Sequence, residues 1–218
     1  MTGDRRDDRL PGSERMVAFT DAAVAIALTL LVLPLVDIVP EAARSGEDAP
    51  ELIRQNLAPI GSFLLSFVVI ARFWTSHHQL FGFGHRLTRG LVQLNLLWVL
   101  TIAVLPFPTE MIASFADRGF VVAFYLFVLL LCSACLSLMT IMMRRTGVQD
   151  GLADGVPEEF VVGSLASTTT MVIALVVVLA YPPIGPYAFF ILIADPVFEP
   201  LIRRLRGDRL ARRAGTRS

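Results

Sequence analysis

The sequence predicts an all-α, polytopic membrane protein with six transmembrane helices and both termini in the cytoplasm. Hydrophobic residues make up 55% of the 218 residues, charged residues only 17%, and the mean hydropathy is +0.65. A soluble domain carries about 25% charged residues. The charges that exist are gathered between long apolar runs, which is typical of membrane spans rather than of an ordinary protein core.

Six apolar runs, counted with their flanks, have close to the length of about 20 residues that a helix needs to cross a bilayer. They do not alternate between apolar and polar residues as β-barrel strands do. The first run is too long for a cleaved signal peptide and has no clear small-residue cleavage site after it, so we expect it to remain a helix. The sixth is the weakest because Asp195, Pro196 and Glu199 interrupt it. The predicted spans are residues 16–36, 57–74, 91–106, 120–143, 160–181 and 187–202.

The arginines give the orientation. All 19 basic residues are arginine, and only Arg44, Arg54 and Arg118 lie on the side of the membrane opposite to the termini. The positive-inside rule therefore places both termini in the cytoplasm, and an even number of spans agrees with this. We expect a mobile N-terminal segment (residues 1–14), one six-helix membrane domain (residues 15–206) and a basic cytoplasmic tail (residues 207–218).

Motifs for enzymatic chemistry are absent from the sequence. It has no P-loop, no H-E-x-x-H, no serine elbow and no cluster with metal-ligand spacing, and it lacks the T-V-G-Y-G carbonyl filter. We therefore expect no enzyme, no cofactor, no fixed metal site and no nucleic-acid partner. Cys132 and Cys135 form C-x-x-C inside the fourth span. A thiolate is disfavoured there, so we interpret both as packing residues.

The first span carries two charges near its cytoplasmic end. Arg15 and Asp21 are six residues apart, about 120° around a helix, so they cannot form an i, i+4 pair. A charge in the hydrocarbon interior costs at least about 2.5–3.5 kcal/mol, so Asp21 needs a partner on another helix, in a water-filled cavity or at the interface. Trp74, His77 and Asn95 reach similar depth from spans two and three. We predict a buried polar network joining the three spans, although Trp74 or His77 alone would indicate an interfacial residue.

Three stretches resemble the transmembrane protein 175 family. RMVAFTD (residues 15–21) is similar to its R-x-x-x-F-S-D signature, with Thr20 where the family usually has serine. FWTSHHQLF (residues 73–81) resembles the W-x-x-H stretch of its second helix, and LNLLWVLTIAVLPFPTE (residues 94–110) resembles its third helix. The resemblance covers roughly the first half of the chain and adds Phe19 and Thr20 to the predicted network. The single copy of the pattern resembles the prokaryotic branch.

The resemblance implies a homotetrameric, potassium-selective channel in the plasma membrane of a prokaryote. Four copies of the first helix would line a central pore, with no carbonyl filter. The resemblance puts an apolar constriction or gate at Ile26, Leu30 and Leu33, and selectivity at Thr29, with permeant K+ near Ile26 and Thr29. By itself the stripe of Ile26, Leu30 and Leu33 would indicate lipid contact or helix packing, and a threonine in a span usually bonds its own helix backbone.

Two other functions stay open on the residues alone. A proton-coupled secondary transporter would use Asp21 or Asp195 as its coupling site, and Pro196 would break the helix beside the second acid. The simpler interpretation is that Asp195 marks the cytoplasmic end of the sixth span. A non-conducting scaffold would be recognised by the absence of flux. The expected partners are the lipid bilayer, K+ and other copies of the chain.

Overall fold

The computed structural model describes residues 11–83, 87–115, 118–149 and 155–181, and the regular elements of these residues are all α-helices. The predicted sixth span, with Asp195, and the predicted basic tail lie outside the described residues. Residues 11–14 of the predicted mobile segment belong to the first helix. The helices are α1 (Pro11–Leu30), α2 (Leu33–Asp37), α3 (Val39–Ser45), α4 (Ala49–Gln55), α5 (Leu57–Gly82), α6 (Arg89–Val104), α7 (Pro106–Ser114), α8 (Arg118–Gln149) and α9 (Glu158–Ala180).

Five stretches of the described residues are long and apolar enough to cross a membrane. They account for the first five predicted spans, with longer helical ends than the apolar runs indicated. The five candidate spans are Gly12–Ser45, Leu57–Gly82, Arg89–Ser114, Gly119–Gly147 and Glu158–Ala180.

The first span is helical on both sides of a break, whereas the sequence predicted one continuous helix. The α1 helix ends at Leu30 and α2 begins at Leu33. Pro34 causes this break, since it has no N–H for the carbonyl of Leu30 and its ring collides with that carbonyl. The backbone tightens there instead: the N–H of Val32 bonds the carbonyl of Thr29 at 3.4 Å.

The second and third spans also differ from their predicted bounds. The α5 helix runs on to Gly82, past the predicted end at residue 74, so His77 lies within the helix rather than at its exit. The separate short helix α4, which begins after Asp48, precedes α5. In the third span, α6 is capped by Thr88, whose Oγ1 accepts a hydrogen bond from Leu91 N at 3.2 Å, and Pro106 starts α7.

The α8 helix is the most buried of the described spans. Of the apolar stretch of its span, 67% is buried inside the protein, against 17% for the first span and 17% for α9. It packs against α5, α6, α7 and α9, while α1 packs against α5 and α6. The first span is therefore a peripheral helix held by only some of its residues. Cys132 and Cys135 are buried in α8 as free thiols.

A buried hydroxyl cluster joins three helices. Ser66 Oγ lies 2.7 Å from Thr109 Oγ1 and 3.2 Å from Tyr125 Oη, which connects α5, α7 and α8. Thr109 also donates to the carbonyl of Leu105 at 2.8 Å. The broken third span is thus fixed to its neighbours just beyond the break.

Candidate functional site

One stripe of the first span, from α1 to the residue that follows it, packs against the rest of the chain. Thr20, Val24, Ala27 and Leu31 follow one another at helical spacing and are 0%, 2%, 2% and 4% exposed. Residues spaced by four, three and four positions share one face of a helix. We call these four residues the packed face. It places α1 against α5 and α6.

A directional series of hydrogen bonds holds the packed face at Thr20. His77 Nε2 lies 2.7 Å from Asn95 Oδ1, and Asn95 Nδ2 donates to Thr20 Oγ1 at 2.9 Å. Thr20 then donates to the carbonyl of Met16 at 2.9 Å. Because the Asn95 oxygen can only accept, His77 carries its proton on Nε2. This buried hydrogen-bond chain of His77, Asn95 and Thr20 links α5, α6 and α1, and all three side chains are 0% exposed.

Asp21 has a separate partner nearer the protein surface. Trp74 Nε1 donates to Asp21 Oδ1 at 2.8 Å, and Trp74 is 37% exposed. This contact joins α1 to α5 beside the buried hydrogen-bond chain, without a shared hydrogen bond among the described residues. The residues predicted to form one network are therefore arranged as two adjacent contacts between the same helices.

Trp98 belongs to this site although the sequence analysis did not select it. The ring of His77 stacks on that of Trp98 with centroids 4.4 Å apart and an interplanar angle of 19°. Trp98 is fully buried and lies three residues after Asn95, on the same face of α6. That spacing was the available signal. Within the described part of the chain, His77 Nδ1 and Trp98 Nε1 are buried without a hydrogen-bond partner.

Arg15 and Phe19 lie on the outside of α1. Phe19 is 54% exposed, and Arg15 is exposed as well. Among the described residues, Arg15 makes no hydrogen bond or ion pair. Among the described residues, neither side chain bonds the buried hydrogen-bond chain or the Asp21–Trp74 pair. Their membership of the network therefore stays a prediction.

The predicted pore residues lie away from the packed face. Ile26, Leu30 and Leu33 are 60%, 42% and 49% exposed, with Leu33 beyond the break as the first residue of α2. Thr29 is also exposed, and its Oγ1 donates to the carbonyl of Ile26 at 2.8 Å. We call these four residues the free face, since the rest of the chain leaves them largely uncovered.

The site offers no described metal centre. Among the described residues, no group of three or more His, Cys, Asp or Glu side chains is placed to hold a metal ion. The described hydrogen bonds of the site instead run between helices or along the backbone of α1. Bonds of this kind position a helix.

Comparisons with known proteins agree with this architecture. Residues 15–106 match the family described as endosomal/lysosomal potassium channel TMEM175. A Streptomyces collinus protein named a potassium channel is 33% identical over 174 residues, which cover 75% of this chain and 83% of the relative. The human protein named endosomal/lysosomal proton channel TMEM175 is 30% identical over 108 residues, 48% of this chain and 20% of the relative. The chain thus spans about a fifth of the human relative.

A solved structure shares the fold. The crystal structure of a lysosomal potassium-selective channel TMEM175 homolog from Chamaesiphon minutus matches with a TM-score of 0.70 and 18% sequence identity, covering 86% of this chain and 98% of that chain. The fold and the relatives together define a multi-pass membrane protein of an ion-channel class, not an enzyme. The chain belongs to the TMEM175 family.

Proposed function

We propose that this protein is a potassium-selective channel of a prokaryotic plasma membrane. Four copies of a six-span chain, with both termini in the cytoplasm, would surround a pore lined by the first helix. The free face would line that pore, with Ile26, Leu30 and Leu33 as the apolar constriction and Thr29 as the selectivity ring. The potassium-channel name of the Streptomyces relative supports the choice of ion.

The observation that carries the proposal is the division of the first span into two faces. Its packed face is at most 4% exposed, whereas Ile26 on the free face is 60% exposed. One chain leaves these apolar side chains without a described partner. A four-fold axis beside α1 would bring four copies of them together. A narrow apolar ring excludes water and closes a pore by dewetting.

The hydroxyl oxygen of Thr29 would accept the contact with the cation. Its proton is directed to the carbonyl of Ile26, so the remaining lone pairs of Oγ1 are available as acceptors. Four such oxygens at one level would replace part of the hydration shell of an ion. Selectivity would then come from the cost of removing water at Thr29 and the adjoining apolar rings.

The buried hydrogen-bond chain and the Asp21–Trp74 pair would hold the pore helix at a set angle. Both contacts join α1 to neighbouring helices, and with the N-terminus in the cytoplasm they would lie on the cytoplasmic side of the constriction. Opening would need only a small rotation or tilt of α1 around these fixed points, which would retract the side chains of the free face. Asp21 is structural in this mechanism and does not bind the ion.

The test is the reversal potential of the purified protein in planar lipid bilayers under a potassium–sodium gradient. We expect a potential near that of potassium, and a clear shift toward zero for Thr29→Ala. An unchanged ion preference in Thr29→Ala would show that the selectivity assignment is wrong. Ile26→Asn should enlarge the leak current, because a polar ring stays wet, and a silent or unaltered channel would contradict the gate.

The proton is a second candidate for the permeant ion. The vertebrate relatives are named proton channels, so the same bilayers should be measured under a proton gradient.

A proton-coupled transporter using Asp21 or Asp195 is the alternative function. It would give slow, proton-dependent flux that is abolished in Asp21→Asn or in Asp195→Asn, whereas the channel gives currents at channel rates with no proton coupling.

A further inference from the structure

A polar cavity lies between α5, α8 and α9, away from the free face of α1. Its volume is about 270 Å³, far above the about 10–15 Å³ that one water molecule requires. Each helix contributes a stripe at helical spacing, so the cavity follows from three aligned sequence patterns. The described lining residues are Arg72, Phe73, Ser76 and Gln79 of α5, Ser133 and Leu136 of α8, and Phe160, Gly163, Ser164 and Ser167 of α9.

The chemistry of the described lining is that of an anion site. Arg72 is its charged residue, and no carboxylate is among the described residues that line it. Serine and glutamine side chains supply further hydrogen-bond donors from all three helices. A guanidinium with neutral donors converging from several directions fits a group with several oxygens around one centre, and arginine binds phosphate in a bidentate manner.

Some of the lining hydroxyls also hold the helices together. Ser133 Oγ lies 2.8 Å from Thr168 Oγ1, and Ser164 Oγ lies 2.6 Å from Ser137 Oγ, which locks α8 to α9. Ser76 and Gln79 make no side-chain hydrogen bond within the described residues, so helix packing does not account for them. Arg72 interacts elsewhere in the chain as well, but a guanidinium has five N–H donors.

Two contacts lie near the start of α9, beside the cavity. Phe83, which follows α5, packs edge-on against Phe160 with ring centroids 5.6 Å apart. Glu158, the first residue of α9, lies 3.5 Å from Arg144 and is balanced by it. Neither Glu158 nor another acid is among the described residues that line the cavity.

We propose that this cavity binds a phosphate group, carried by the headgroup of an anionic lipid or free in the cytosol. The location rests on the orientation in the proposed function, which places the cavity toward the cytoplasmic leaflet, where basic pockets between helices bind anionic headgroups. Arg72 holds the phosphate, and Ser76 and Gln79 donate to it. Because Ser76 precedes His77, the ligand stabilises the segment of α5 that anchors α1.

The experiment measures the thermal unfolding of the purified full-length protein in detergent with added phosphatidylglycerol, phosphatidylcholine or inorganic phosphate. We expect phosphatidylglycerol to raise the unfolding temperature of the wild type, with an apparent affinity at least about tenfold weaker in Arg72→Gln, the loss that 1.4 kcal/mol represents. Arg145→Gln is the matched control. It removes the same charge from an exposed position on α8 outside the described lining and should respond as the wild type does.

Ser76→Leu provides a second variant, since it places a larger, apolar side chain in the cavity while Arg72 stays in place. It too should lose the response to phosphatidylglycerol, and it decides the result if Arg72→Gln does not fold. An equal shift with inorganic phosphate supports the site and identifies free phosphate as the source. An equal shift with phosphatidylcholine, or an undiminished shift in both variants, overturns the proposal. Potassium currents from the same preparation test the proposed function separately, because the binding measurement does not need conduction.

Discussion

The two faces of the first span have similar composition and opposite surroundings. Leu31 is 4% exposed and Leu30, its neighbour in sequence, is 42% exposed. Both are leucines in the same span, so hydrophobicity does not distinguish them. The difference comes from a polar contact near one end of the helix. Thr20 bonds Asn95, and that contact fixes which stripe of the first span meets α5 and α6.

This comparison shows how a membrane protein specifies the rotation of a helix. Lipid is as apolar as leucine, so hydrophobicity gives little preference for one face. A buried hydrogen bond with a defined donor and acceptor does give one. The free face then takes its environment from the packed face opposite to it.

The largest expected effect separates two neighbouring leucines. Leu31→Ala should lower the free energy of unfolding by about 2–3 kcal/mol, since it leaves a cavity between packed helices while the transfer contribution is small in lipid. Leu30→Ala is the control and should cost much less while changing the current. Unfolding by titration with a denaturing detergent measures both. Equal losses would mean that the two faces are not distinct.

The buried hydrogen-bond chain gives the next effect. Asn95→Leu should lower the free energy of unfolding by about 1–2 kcal/mol, because it removes the acceptor from the buried N–H of His77. The double variant His77→Phe with Asn95→Leu should recover part of the loss, since no unpaired donor remains. The same detergent titration measures it. If the double variant lost the sum of the single losses, the hydrogen bond would not be the cause.

The Asp21–Trp74 pair should contribute less because it is partly exposed. Trp74→Phe removes one N–H donor and should lower the free energy of unfolding by about 0.5–1 kcal/mol. A double-mutant cycle with Asp21→Ala isolates the coupling between the two side chains. A coupling energy as large as that of His77 with Asn95 would mean that the partly exposed pair holds α1 as strongly as the buried hydrogen-bond chain does.

The smallest effect on stability belongs to Thr29. Thr29→Val keeps the shape of the side chain and removes a hydroxyl that bonds only its own helix backbone among the described residues. We expect a change within about 0.5 kcal/mol, as for surface substitutions without a structural role, together with an altered ion preference. A large destabilisation would assign Thr29 to packing instead of to the pore.

The sequence predicted the helical class and the first five candidate spans, and it predicted a shared depth for Asp21, Trp74, His77 and Asn95. Depth follows from helix rise and arginine placement, so it can be deduced from one chain. The pairing could not, because it depends on helix rotation: Asp21 faces Trp74, and His77 faces Asn95. Trp98 was missed because its one signal, the spacing of three residues from Asn95, is common in any apolar helix.

The breaks in the helices show a different limit. Pro34 and Pro106 were visible, yet a proline in a span can be accommodated by a kink, and only packing decides where the helix stops. In both spans the helix ends before the proline, at Leu30 and at Val104. The cavity residues were equally visible as serines and an arginine, but their convergence needs the placement of three helices.

The buried state of Cys132 and Cys135 makes the native chain suitable for thiol labelling. They are the two cysteines of the whole sequence, and at 0% and 4% exposure neither is accessible to a reagent in the folded protein. A single cysteine introduced along the first span would therefore be the one reactive thiol, without prior removal of the native pair. Reaction rates with a charged, water-soluble reagent at each position would map which side of that helix meets water.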